Sequence, residues 1–240
     1  MKKTIFIITM LTCHLIWSQV NTEAMRKENQ TTGVNQNIAL DFSYFSGSSE
    51  IIQLMGSYRM DYLLNSNWYG FINGYYNRAF EKNKEDFSNR GFVHFRVAKP
   101  IMNKIDIEGF IQSEANHFLK LENRELIGGG ARINQLERLF FGMGIMHEME
   151  KYGDNPEEQN VIKSTNYINF KKTIFQTIDV QNVIYYQFKI ENPKDLRIFW
   201  DGNMTTQTIN GISFHINIHY QFDNNGKSYF EFSNGLGFQL

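Results

Sequence analysis

The sequence is poor in cysteine, proline, net charge and long apolar runs, and each lack removes a class of protein. Its one cysteine, Cys13, lies near the start, so no structural disulfide and no thiolate metal site is available to the rest of the chain. Only 3 prolines interrupt 240 residues. The 24 Lys and Arg almost balance 25 Asp and Glu, which is no basic footprint for nucleic acid. Beyond the first residues no uninterrupted apolar stretch approaches the ~18–20 that a membrane-spanning helix requires. A membrane form of this chain would therefore have to be a closed β-structure. The mean hydropathy of −0.42 does not argue against one, because half of each barrel strand faces a polar interior.

The beginning has the parts of an export leader: a basic "MKK", an apolar "TIFIITMLTCHLIW" and a small residue in Ser18-Gln19. Cleavage after Gln19 is expected, which would remove Cys13. Residues 20–36, "VNTEAMRKENQTTGVNQ", are polar and without periodicity, and read as a flexible periplasmic lead-in. From residue 37 onward, alternation with period two dominates, punctuated by Gly, Asn, Asp, Lys and Pro.

The clearest strand is 211–222. Ile212, Phe214, Ile216, Ile218, Tyr220 and Phe222 share one face, while Gly211, Ser213, His215, Asn217, His219 and Gln221 share the other. The same logic places strands at about 38–44, 52–62, 68–80, 88–98, 102–118, 123–133, 138–152, 159–170, 173–189, 196–206 and 228–240, twelve in all. An even number suits up-and-down connectivity with both termini on one side of a membrane. "GDNPEE" is expected to be the longest turn, Lys99-Pro100 to end the fourth strand, and Gly128-Gly129-Gly130 to mark a bend or close approach rather than a phosphate loop.

Three features favour hydrocarbon over a protein core against the oily face. The polar faces carry charge of both signs in mid-strand, the strands are long, and aromatics gather near strand ends at Tyr62, Trp68, Tyr69, Phe170, Tyr220, Phe222 and Phe238. The chain ends "SNGLGFQL", in mid-alternation. Ser233, Gly235, Phe238 and Leu240 resemble the C-terminal assembly signal of bacterial outer-membrane proteins, with Leu where Phe is commoner. That resemblance implies insertion by the barrel-assembly machinery and closure of the last strand on the first.

Opposite the oily positions lie Arg59, Asp61, Arg90, Arg96, Asp106, Glu108, Glu114, Arg124, Arg132, Glu148, Glu150, His215 and His219. They are candidates for a lumen lining, either as a pore with charge rings or as a structural network of paired charges. Chemistry is not expected. His215 and His219 stand about 13 Å apart along a strand, too far to share a metal, and His147 falls on the apolar side. Ser233 faintly resembles the serine of outer-membrane phospholipases, but Glu231 stands where those have a His, and a nucleophile needs its base within reach. No cofactor and no catalytic residue are expected.

"RELIGGGARI" (124–133), "LFFGMGIMHEMEKY" (139–152) and "FSGSSE" (45–50) resemble the salt-induced outer-membrane protein family, a domain-of-unknown-function group (DUF481-like). In "FSGSSE", Ser48 stands where that family usually has Asn. The resemblance covers about residues 38–240 and implies an outer-membrane barrel without assigned catalytic residues. The expectation is an all-β, up-and-down antiparallel transmembrane β-barrel of about twelve strands, occupying 37–240 after a leader at 1–19. It would sit in the outer membrane of a Gram-negative-type bacterium, surrounded by lipid. Its role would be non-enzymatic, as a narrow channel or an envelope-stability component in salt stress, with the solute unassigned. The alternative is a soluble, lipocalin-like barrel whose oily face points inward around an apolar ligand.

Overall fold

The computed structural model of the chain describes residues 22–26, 32–46, 50–82, 86–136, 138–206, 212–224 and 228–238. Twelve strands follow one another: β1 (Gly33–Ser46), β2 (Glu50–Leu63), β3 (Tyr69–Glu81), β4 (Asp86–Met102), β5 (Ile105–Asn116), β6 (Leu121–Leu136), β7 (Leu139–Tyr152), β8 (Asn155–Ile174), β9 (Ile178–Lys189), β10 (Leu196–Thr206), β11 (Ile212–Asp223) and β12 (Tyr229–Phe238). Each pairs antiparallel with its chain neighbours, giving a single sheet in the order β1 to β12. Strands of 10 to 20 residues are long enough to cross a bilayer at a tilt, which takes roughly 9–11.

The alternation sorts the side chains as two solvents would. Ile111, Ile127, Met143, Ile145 and Ile168 face outward and are exposed, Ile127 and Ile145 at 56% each. Arg96, Glu114, Arg124 and Glu148 face inward and are buried, Glu148 completely. Contacts between strands that are not neighbours show that the sheet curls its polar face onto itself. Tyr167 on β8 reaches Glu108 on β5, and Arg197 on β10 reaches Glu148 on β7. A lipocalin-like barrel would have the opposite sorting; the greasy stripe is outside, which gives that alternative no support.

Several details depart from the sequence reading. β8 begins at Asn155, so "GDNPEE" contributes only a two-residue turn at Gly153 and Asp154. β4 continues through Pro100 to Met102, because a register shift between Pro100 and Met102 accommodates a residue that has no N–H to give. Tyr69, expected among the interfacial aromatics, points inward and is buried. β1 starts at Gly33, ahead of the expected boundary at 37. The β8–β9 turn places both Phe175 (φ 50°) and Gln176 (φ 61°) in the left-handed region, the geometry that matches the twist of a tight hairpin.

Closure of the last strand on the first is not seen. Among the described residues β12 pairs only with β11 and β1 only with β2, and β1 is exposed on both faces. Leu240, the last position of the expected assembly signal, lies outside the described residues, as do the leader and its Cys13. Phe238 ends β12, and Ser233 and Gly235 lie within it, half-buried.

The exposed isoleucines supply a direct test of which solvent they meet. Ile127→Arg, at mid-strand and facing out, should cost about 2–4 kcal/mol in a bilayer. Urea unfolding of protein refolded into lipid vesicles measures it, and an unchanged midpoint would remove lipid from that face.

Candidate functional site

The inward face is organised in two charged tiers with a more closely packed middle between them. The tier at the end where β1 begins and β12 finishes is built around residues 22–26, a turn that sits inside the curled sheet. These residues were expected to belong to a flexible lead-in. Instead Glu23 is fully buried, with Thr22 and Arg26 nearly so. The Glu23 carboxylate accepts from Asn169 Nδ2 at 2.9 Å, Arg132 Nε at 3.1 Å and Arg96 Nη1 at 3.3 Å. Its backbone N–H donates to Tyr185 Oη at 3.2 Å. Thr22 Oγ1 accepts from Arg96 Nη2 at 2.6 Å.

Ala24 packs on the apolar cluster of Tyr167, Val183, Tyr185 and Phe199. Arg26 then turns to the opposite sign, meeting Asp106 at 3.0 Å and Glu108 at 3.2 Å, while its carbonyl accepts from Lys171 Nζ at 3.2 Å. The wall also pairs with itself: Arg96 lies 3.3 Å from Glu108, and Arg132 lies 3.7 Å from Asp106.

The second tier lies toward the other end. Arg124 bridges Glu114 and Glu150, the latter at 2.5 Å, and donates to Tyr152 Oη at 3.3 Å. Arg197 bridges Glu148 at 3.4 Å, Glu150 at 3.2 Å and Asp223 at 3.0 Å, and Lys163 also meets Glu148. A buried charge needs such partners, because its separation from water costs several kcal/mol. Between the tiers, His94 meets Gln112 at 3.1 Å, and Gln112 donates to Glu114 at 2.8 Å.

Glycines shape the middle. Gly130 and Gly144 stand opposite each other across β6 and β7. A Cβ on Gly128 would lie 2.6 Å from the Phe110 ring, and one on Gly142 would enter the Tyr167 ring. The absent side chains are what let these rings lie flat against the wall.

The free space follows from this packing. The middle cavity, bordered by Thr22, Phe110, Met146, Tyr167 and Phe199, has about 30 Å³, room for a water molecule. Met25 borders a larger space of about 310 Å³ beside Tyr75, Arg90 and Phe92. Ala24 and Arg26 border a vestibule of about 570 Å³ lined by Arg138, Lys171, Lys172 and Asp179. The turn thus lies between the space at that end of the sheet and the spaces further in.

The remaining sequence-derived positions lie apart from the two tiers. Arg59 pairs with Asp61 at 2.6 Å, and Tyr69 donates to that carboxylate at 3.0 Å. Arg90 is buried with its guanidinium 5.8 Å from the Tyr75 ring centre. His219 meets Asp201 at 2.5 Å, while His215 is half-buried opposite Gly235. Ser233 stands opposite Asn217, which donates to its Oγ at 3.4 Å. Outside, His147 meets Asn160. Among the described residues no group of three or more His, Cys, Asp or Glu is placed to hold a metal ion.

Sequence reasoning missed Glu23, Arg26, Lys163, Asn169, Arg197, Asp201 and Asp223. The last five lie on strands, in step with neighbours on the polar face, so alternation alone was enough to find them. Glu23 and Arg26 carry no periodic signal.

A curled, up-and-down sheet, oily outside and charged inside, defines a β-barrel of the outer-membrane type. The chain belongs to the family described as "Protein of unknown function, DUF481", whose profile matches residues 77–228. Among solved structures it is similar to the translocator domain of autotransporter NalP from Neisseria meningitidis, at 10% identity and TM-score 0.53, covering 89% of this chain and 90% of that one. The NanC porin (12% identity, TM-score 0.48, 86% and 99% coverage) and the KdgM porin (10%, 0.44, 86% and 98%) are also similar. At these identities the likeness concerns the fold, and the NalP superposition carries it. No curated protein matches the chain in sequence.

Two outcomes test the tiers. Arg124→Met leaves Glu114 and Glu150 buried without their shared cation and should cost about 3–5 kcal/mol. A lowered temperature for the heat-induced mobility shift on gels checks it. Burial alone would raise the Glu23 carboxyl, but Arg132, Arg26 and Arg96, with the Asn169 hydrogen bond, hold it below its ordinary range. A lowered value means that its contribution to seating the turn is complete above the ordinary carboxylate range. It is lost progressively as pH falls from the ordinary carboxylate value through the lowered one. A spin label on Ala24→Cys should therefore be immobile at neutral pH and gain mobility as pH falls through the ordinary carboxylate value toward the lowered one.

Proposed function

We propose that the protein is a narrow outer-membrane channel held shut from within by residues 22–26. The observation that supports this reading is the position of the turn between the mouth vestibule and the interior spaces. Charged and hydrogen-bonding groups of the wall hold it there. In this reading the thirteen charged and histidine positions line the lumen. Removal of a leader at residues 1–19 leaves the turn two residues from the new N-terminus. The barrel-assembly machinery seals β12 against β1, since free ladder groups cost several kcal/mol each in hydrocarbon.

The second tier favours another role. Its ion pairs tie β5, β6, β7, β8, β10 and β11 together across the lumen, as a closed envelope-stability component requires. Planar-bilayer recording separates the two. Each hydrogen bond to a charged group contributes about 1.5–3 kcal/mol. Glu23→Ala with Arg26→Ala should therefore raise open probability at least about tenfold over a mostly closed wild type. Silence from both, with intact heat-modifiable mobility, would exclude the channel and leave the structural role.

A further inference from the structure

The contacts of residues 22–26 engage side chains of both charges, the backbone and an apolar group. A carboxylate is received by Arg96, Arg132 and Asn169, and a guanidinium by Asp106 and Glu108. A backbone N–H finds an acceptor in Tyr185 Oη, and a backbone carbonyl finds a donor in Lys171 Nζ. A small apolar side chain, Ala24, lies on a mostly aromatic platform, and a longer one, Met25, borders the space of about 310 Å³. The wall thus holds receptors of both signs, with two residues of the bound segment between them, beside an apolar platform.

We infer that this wall is a binding site for a short zwitterionic peptide, and that residues 22–26 occupy it as a built-in pseudo-ligand. The recognised solute carries a carboxylate and a cationic group separated by about two residues, as Glu23 and Arg26 do. The inference rests on the turn being displaceable, as the channel reading requires, but the site's existence does not depend on conduction. Because the wall carries both signs, a simple dicarboxylate or a simple diamine satisfies only half of it. The turn competes for the same atoms, so the apparent affinity for an external peptide is reduced by the fraction of molecules in which the turn is seated.

The test uses the full chain in detergent micelles or lipid discs, with the acetylated, amidated pentapeptide Thr-Glu-Ala-Met-Arg as probe. Isothermal titration calorimetry should show binding to the Glu23→Ala, Arg26→Ala protein at least about tenfold tighter than to wild type. Replacing the peptide's Glu by Gln, or its Arg by norleucine, should weaken binding at least about tenfold, the effect of one lost charge-assisted contact. Equal binding by all three peptides, or no binding to a variant that retains heat-modifiable mobility, would overturn the site.

Should the double variant fail to fold, Ala24→Cys in an otherwise native chain gives a second readout. Millimolar peptide should speed its reaction with a water-soluble maleimide several-fold, and an unchanged rate would also overturn the site. Peptide binding beside a silent bilayer removes the channel and leaves the site. Conductance without peptide binding does the reverse.

Discussion

A charge enclosed by a sheet whose outer face is hydrocarbon has no bulk water on the other side to relax into. Every inward Arg, Lys, Asp and Glu must therefore be answered by another protein group, by confined water or by a solute. The two tiers are two answers to that requirement. In the one toward the far end, wall groups answer wall groups, and Arg124 and Arg197 act as hubs between four carboxylates. In the other, a segment from outside the sheet supplies Glu23 and Arg26. The outward face needs no such matching, which is why Ile, Phe, Met and Leu can follow one another there with little specificity.

Much of this was legible in the alternation. Side chains on a strand point to opposite faces in turn, so one firm assignment, such as Ile216 out and Asn217 in, propagates along the whole strand. The twelve strands and the sorting of charge from grease follow from that rule. Strand ends were less legible. Asn155 to Glu158 contains Pro156 and two acids and reads as a turn, yet it extends β8 alongside β7 and past the end of β9. Tyr69 sits where an aromatic girdle is expected, but its parity with Phe71 and Asn73 sends it inward to Asp61.

The inner turn was not legible at all, for a physical reason. Glu23 and Arg26 have no periodic partners in their own segment, and their counter-charges come from β4, β5 and β6, more than seventy residues away. A polar, aperiodic stretch before a first strand has the composition of a solvated linker. Only the curl of the sheet shows that its charges have a place to go. The Gly128 to Gly130 run reads in the sequence as a bend or a close approach. The rings of Phe110 and Tyr167 over Gly128 and Gly142 give that approach its cause.

The 3.3 Å and 3.7 Å pairs within the wall itself have a further consequence. Were Arg96 and Arg132 balanced by Glu23 alone, withdrawing that carboxylate would strand two cations in a dry place, and departure would be forbidden. Glu108 and Asp106 already stand beside them, so the vacated cradle keeps its own electrical balance. A cradle that balances its own charge can release an occupant without stranding an ion, which is the condition the pseudo-ligand reading requires.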